Sequence, residues 1–352
     1  MQPQTEVFMS DNERNLLEEQ KADYQWYEAS GSHFDIGFIT AQHAGSEAFF
    51  SPGGKLSAAQ LSYAEKCRAV TAKYYPEIVE EFAGYASALN LPEEDLLGHY
   101  TIGATGGCSA IVVDTPEGRI VGRNYDFFYF ESRRHLIHTR PDKGYSHTGI
   151  HEGLIGGRFD GLNERGLFVS FNGAGDHPDP APVGISFHII VRYLLEKCAT
   201  AQEAKETLLT LPIKEPKSYL IADRHDAFVV EAHPARREVR SLENGRLFVT
   251  NHYLHPDMQA YHPAWPNSVA RYNKLVELSP GLLESPEAEL DLRTILADHT
   301  APLCGHNDGL ATFWSCTTNL DTGKIAYCLG APCRNEYKHY FEDAPVHQPV
   351  SH

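Results

Sequence analysis

From residue 107 onward the chain is punctuated by paired short apolar runs with tight turn signals between them, and this pattern most constrains its fold. Ser109–Val113 leads through Thr115-Pro-Glu-Gly118 into Arg119–Arg123. Gly157–Leu162 turns at Asn163-Glu-Arg-Gly166 into Leu167–Phe171. Tyr219–Ala222 turns at Arg224-His-Asp226 into Ala227–Glu231, and Phe313–Thr318 turns at Asp321-Thr-Gly323 into Lys324–Cys328. Each reads as a β-hairpin. Helical patterns intervene near 185–210, 267–279 and 287–298. Hairpins separated by helical blocks predict antiparallel sheets covered by helices, an α+β layered domain rather than a doubly wound parallel one.

The first third has another texture. Ser57 is a fitting N-cap for a helix, and Pro76 and Pro92 each suit the first turn of a following one. Leu61, Ala64, Cys67 and Val70 fall on one helical face and predict core packing. The tail after Tyr340 is polar and expected to be loose.

Composition narrows the function. The 352 residues carry 30 Lys plus Arg against 47 Asp plus Glu, a formal charge of -17. Such a surface repels phosphate backbones and anionic lipid, so neither nucleic acid nor membrane is an expected partner. No run approaches the roughly 18 apolar residues of a membrane span, and the first residues lack the pattern of an export signal. A cytoplasmic protein is expected. With 42% hydrophobic residues there is ample core material.

Seven cysteines in a long chain without an export signal argue against a disulfide framework. Cys304, Cys316, Cys328 and Cys333 are not spaced as zinc ligands. Among the 19 histidines, His299 and His306, with Asp298 and Asp308 nearby, form no HExxH and no paired Cys/His cluster, so no metal and no cofactor are expected. His225, His233, His252 and His255 read as loop residues. Gly153-Leu-Ile-Gly-Gly157 is not a nucleotide loop and reads as a bend in a sheet.

Cys108 stands apart. It follows Gly106-Gly107 at the junction between the helical third and the first strand, and small residues come after it. The glycines free the backbone there, and a thiol at a strand start fits a nucleophile presented at a sheet edge. Arg123 and Asp126 lie on the return strand of the same hairpin, whose open ends meet, so both are expected near Cys108. A neighbouring cation raises the thiolate fraction, and a carboxylate can orient an amine or thiol.

Gly107-Cys108, Gly122-Arg-Asn-Tyr-Asp126, the run Gly161–Asn172, Val249-Thr-Asn251 and Ser268-Val-Ala-Arg271 occur in the order found in N-terminal-nucleophile amidohydrolases. The chain most resembles the isopenicillin N acyltransferase family, relatives of penicillin V acylase and choloylglycine hydrolase. Gly31–Gly37 looks like that family's entry motif. The resemblance implies a four-layer αββα sandwich and a precursor cut at Gly107–Cys108. Residues 1–107 would then be an N-terminal segment, and residues 108–352 the catalytic domain.

It further implies that Cys108 is nucleophile and, through its new α-amine, base. Asp126 would hold the amine and thiol, Arg123 would support the thiolate or substrate, and Asn172 and Asn251 would form the oxyanion hole. Arg271 would brace Asp126. The expected activity is cleavage of a linear, non-peptide amide of a small molecule through a Cys108 thioester. Acyl transfer to an amine is the alternative, and an unprocessed binding protein a second. The two fragments would stay associated, and a homo-oligomer is left open. Tyr125 and Phe127 are candidate substrate contacts within the aromatic run Tyr125–Phe130. Arg133, Arg134 and Arg140 would suit a substrate carboxylate, and segments 127–160 and 252–266 read as pocket loops.

Overall fold

The computed structural model describes residues 23–44, 56–101, 103, 106–128, 133–261, 264–306 and 310–341. Thirteen described strands form two sheets. In chain order, the eight-stranded sheet contains β1 (Asp23–Gly31), β4 (Arg133–Pro141), β5 (His147–Glu152), β6 (Asp160–Asn163), β7 (Phe168–Gly173), β8 (Lys217–Ala222), β9 (Ala227–His233) and β10 (Arg236–Ser241). The five-stranded sheet runs in spatial order β11 (Arg246–Val249), β2 (Gly107–Thr115), β3 (Gly118–Phe128), β12 (Leu310–Asn319), β13 (Lys324–Leu329). Every pairing is antiparallel except β1 beside β4.

Alternation along β2 shows how the layers stack. Cys108, Ala110 and Val112 join the large core shared with the eight-stranded sheet. Ile111 and Val113, pointing the other way, pack with Leu275, Leu292 and Leu296. Those leucines come from helices α6 (Pro266–Leu278) and α7 (Ala288–Leu296). Helices α1 (His33–Ala44), α4 (Phe187–Lys197) and α5 (Ala201–Thr210) pack against the eight-stranded sheet. Between them the two sheets bury the core, so the architecture is α, β, β, α, as the resemblance implied.

The four sequence hairpins all form, and the helical blocks fall where expected. Helix α2 (Ala58–Tyr74) starts at a capping box of Ser57 and Gln60, and α3 (Pro76–Leu89) has its proline in the first turn. Ala64 and Cys67 are buried, and Leu61 and Val70 pack against the core. Gly153 and Gly156 take positive φ in the bend after β5.

Segment 127–160 is a correction, because it holds β4 and β5 inside the larger sheet rather than a pocket loop alone. The sequence Arg-Arg-His-Leu-Ile-His-Thr-Arg-Pro hides a strand because its buried residues include the polar Arg134, His135 and His138 on its two faces. The three arginines proposed for a substrate carboxylate already have partners: Arg133 pairs with Asp23, Arg134 with Glu152, and Arg140 with Glu28. His233 is likewise not in a loop but ends β9. Tyr129, Phe130 and Asp308 lie outside the described residues, as does the tail beyond 341. No helix among the described residues is long and apolar enough to cross a membrane.

Candidate active site

Cys108 is the second residue of β2 and lies opposite Tyr125 of β3, with Gly107 opposite Asp126. Side-chain alternation puts the thiol on the inner face with Arg123, whose Nη2 donates to Sγ at 3.7 Å. The same Nη2 donates to the Phe171 carbonyl at 2.8 Å, and Nη1 pairs with Asp160. Asp160 also accepts from Trp314 Nε1 at 2.9 Å and Tyr327 O–H at 2.8 Å. The guanidinium is therefore held rigidly between the sheets, its charge balanced on one side and aimed at sulfur on the other. Arg123 is fully buried, and Cys108 is 1% exposed. Burial pushes the thiol up to about 11, although Arg123 pulls the other way. In the intact chain the sulfur is a protonated, inaccessible thiol.

Asp126 stands on the opposite face, against Gly107. A Cβ at Gly107 would come within 3.1 Å of Asp126 Cβ, so only glycine fits without a shift. Its Oδ1 accepts from Thr312 Oγ1 at 2.6 Å. Thr312 sits where the β12–β3 register slips, an irregularity of the kind that re-aims a side chain next to a site. Burial raises the Asp126 carboxyl to about 6 against the pull of Arg271.

Asn251, two residues past β11, grips the chain on both sides of Gly107. Its Oδ1 accepts the Cys108 backbone N–H at 2.8 Å, and its Nδ2 donates to the carbonyls of Gly106 at 2.8 Å and Gly173 at 2.9 Å. The Asn251 N–H in turn donates to Ser268 Oγ at 2.6 Å, which ties the loop to α6. From α6, Arg271 donates to the Cys108 carbonyl, to Ser109 Oγ at 2.9 Å and to Asn251 Oδ1 at 2.6 Å. The structure thus places Arg271 on Cys108 and Asn251, and its action on Asp126 is through charge alone.

Asn172 lies inside β7, fully buried. Its Nδ2 reaches the Val249 carbonyl at 3.4 Å, and its Oδ1 has no hydrogen-bond partner among the described residues. Cys108, Arg123, Asp126, Asn251 and Arg271 thus form one connected group, with Asn172 on β7 of the facing sheet. Tyr125 does not line an open pocket. Its ring stacks on Trp314 with centroids 3.9 Å apart, and its hydroxyl donates to Glu152 at 2.9 Å. Phe127 packs against Gly106, where an added Cβ would come within 2.5 Å of its ring.

Asp160, Thr312 and Trp314 escaped the sequence reading, and Ser268 entered it only within the Ser268–Arg271 run. They act through other residues, and Asp160 and Thr312 lie 37 and 186 positions from the Arg123 and Asp126 they contact, so no local motif marks their roles. Metal-capable groups also gather. Glu238, His255 and Asp257 form a second set near the surface, where Arg236 already pairs with both carboxylates. His299, Cys304, His306 and Cys333 come together as well, against the expectation of no Cys/His cluster. Cysteine spacing missed this set because it combines a loop with a turn across a β-hairpin.

Residues 113–334 match the family described as acyl-coenzyme A:6-aminopenicillanic acid acyl-transferase. The chain belongs to this family. A curated relative is the 40 kDa form of acyl-coenzyme A:6-aminopenicillanic-acid-acyltransferase of Emericella nidulans, 24% identical over 229 residues, 61% of this chain. The match spans 63% of that relative's length. Among solved structures, an N-acylethanolamine-hydrolyzing acid amidase ortholog of Caenorhabditis elegans superposes with a TM-score of 0.45 at 19% identity, covering 60% of this chain and 93% of that one. A variant of conjugated bile acid hydrolase from Clostridium perfringens gives 0.48 at 13% identity, covering 70% and 100%.

Proposed function

We propose that this protein is a self-processing cysteine enzyme that breaks a linear amide by way of a thioester on Cys108, after cutting its own chain between Gly107 and Cys108. The observation that carries this reading is the grip on that peptide. Asn251 holds the Cys108 N–H and the Gly106 carbonyl, while Arg271 holds the Cys108 carbonyl. A strand start without special purpose needs no such set.

The chemistry follows from the arrangement. The Cys108 thiol adds to the Gly107 carbonyl, the C–N bond breaks with a proton passing to the leaving nitrogen, and an ester-like thioester forms. Water then releases the Gly107 carboxylate and regenerates the thiol. The Cys108 nitrogen becomes an α-amine of pKa about 7.7–8, able to accept the thiol proton near neutrality. Asn251 Oδ1 already faces that nitrogen and would hold the amine. Departure of the Gly106–Gly107 end frees the Asn251 Nδ2 hydrogen now spent on the Gly106 carbonyl, leaving it for a substrate oxyanion together with Asn172. Arg123 supplies the positive charge that favours the thiolate.

The same acyl-enzyme can give its acyl group to water or to an amine. The family and the curated relative's name, which describes acyl transfer to an aminopenicillanic acid, favour keeping aminolysis as the second reading. Intact-mass measurement of wild type beside Cys108→Ala tests the proposal. Two wild-type fragments breaking before Cys108, with an uncut and inactive variant, are expected. A cut in Cys108→Ala, or a fully active uncut wild type, would overturn it. Adding an amine acceptor to processed enzyme then partitions acylated product against free acid.

A further inference from the structure

His299, Cys304 and His306 lie on the loop after α7, and Cys333 on the turn after β13. No step of the amide chemistry uses them. One ligand atom from each lies within 4.8 Å of the other three. His306 Nε2 is 3.3 Å from Cys304 Sγ and 3.2 Å from Cys333 Sγ. The His299 and His306 rings meet edge to face at 5.1 Å. A tetrahedral ion with Zn–S near 2.3 Å and Zn–N near 2.0–2.1 Å separates neighbouring ligand atoms by about 3.3–3.8 Å. The cluster already has nearly that spacing. Thiols are weak hydrogen-bond partners, so hydrogen bonding alone gives little reason to converge two sulfurs and two imidazoles.

We propose that His299, Cys304, His306 and Cys333 bind one zinc ion as a closed structural site. Four protein ligands complete the tetrahedron and leave no position for an activated water, so this is not a hydrolytic centre. Two thiolates balance the ion's charge while both imidazoles bind neutral. Loading therefore releases the two thiol protons and changes no oxidation state.

The loop is built to present these ligands. Asp298 accepts the Thr300 N–H at 2.8 Å, its carbonyl accepts the Cys304 N–H at 3.0 Å, and Asn124 Nδ2 donates to the Leu303 carbonyl at 2.7 Å. Zinc would tie this loop to the turn carrying Cys333. Gly305, between two of the ligands, donates its N–H to Thr312 Oγ1 at 2.8 Å, and Thr312 donates to Asp126. The ion would thus fix a relay that ends on a candidate catalytic carboxylate, although the site stands independently of that reading.

The test is the metal content of the full chain, purified under reducing conditions without chelator after zinc-supplemented expression. About one zinc per chain is expected, lost in Cys304→Ser and Cys333→Ser and kept in Cys328→Ser. Cobalt(II) loaded onto wild type after zinc removal should show thiolate-to-cobalt charge transfer and intense tetrahedral d–d bands, a readout that needs neither variant folding nor activity. Wild type that takes up neither ion, or zinc retained in both ligand variants, would overturn the proposal. So would a Cys304–Cys333 disulfide found by peptide mapping of the protein alkylated without reduction.

Discussion

At the scale of single residues, Asn251 has the most tightly specified environment. One amide group accepts from Cys108 and donates to two carbonyls, and Arg271 and Ser268 fix its position. In the proposed mechanism, replacing it by alanine removes the partner of the leaving nitrogen and, later, an oxyanion donor. Donors of that kind are worth on the order of 100- to 1000-fold in rate. Asn251→Ala is expected to slow processing by at least 100-fold while the chain still folds, followed by gel densitometry of fragment appearance. Processing at the wild-type rate would remove Asn251 from the chemistry. The sequence exposed this asparagine only through resemblance to a family, because a side chain just past a strand is as well suited to capping. Cys108 was marked out by Gly-Gly before a small-residue strand, but that pattern is short and common, and it was the return strand carrying Arg123 and Asp126, with the resemblance, that made it a candidate nucleophile. Thr312 was not legible at all, because only the slip in the β12 register brings its hydroxyl to Asp126.

Among the elements, the N-terminal segment is the part whose role the sequence described least well. Helices α2 and α3 were readable from caps and periodicity, but α1 and β1 were not, and neither was the parallel pairing of β1 with β4. Parallel pairing leaves no turn signal, and β1 shows no strong apolar alternation. The segment is bolted to α4 by buried charge. Arg192 bridges Glu81 of α3 at 3.0 Å and Glu196 one turn on, while His33 of α1 meets Glu196 at 2.9 Å and Tyr75 donates to the same carboxylate. Burial alone would raise the Glu196 carboxyl, but Arg192 and His33 more than reverse that. Removing the cation leaves two buried carboxylates without their guanidinium, and breaking a buried pair in this way costs about 3–5 kcal/mol. Arg192→Met should therefore lower the urea midpoint by that equivalent and release the N-terminal fragment from processed protein on gel filtration. Arg140→Met, which breaks an exposed pair with Glu28, should cost under about 1 kcal/mol. Equal effects of the two substitutions would contradict the argument.

At the scale of the whole molecule, the histidines set how the protein answers to acid. The sequence counted 19 of them and read most as solvated or satisfied side chains, since nothing local distinguishes a surface histidine from one inside a sheet. The fold buries a set of them. His135 and His151 stack on adjacent strands with centroids 5.1 Å apart, and His99, His147 and His188 are also inside. Burial lowers His99 to about 4 and His135 to about 3, and drives His147, His151 and His188 well below the usual value. A folded pKa below the unfolded 6.5 means that the unfolded chain takes up protons first. Stability from these groups is complete above about pH 6.5 and is lost as the pH falls toward the folded values. Each contributes a loss of up to about 1.4 kcal/mol per pH unit in that window. Because five such groups act together, unfolding midpoints should be flat between pH 7 and 8 and fall steeply between 6.5 and 4.5. The asparagine substitution His151→Asn, which keeps a polar group but cannot charge, should make the slope shallower by about one proton in urea titrations across that range. An unchanged slope would mean that His151 takes up no extra proton on unfolding in this range, and would remove it from the set.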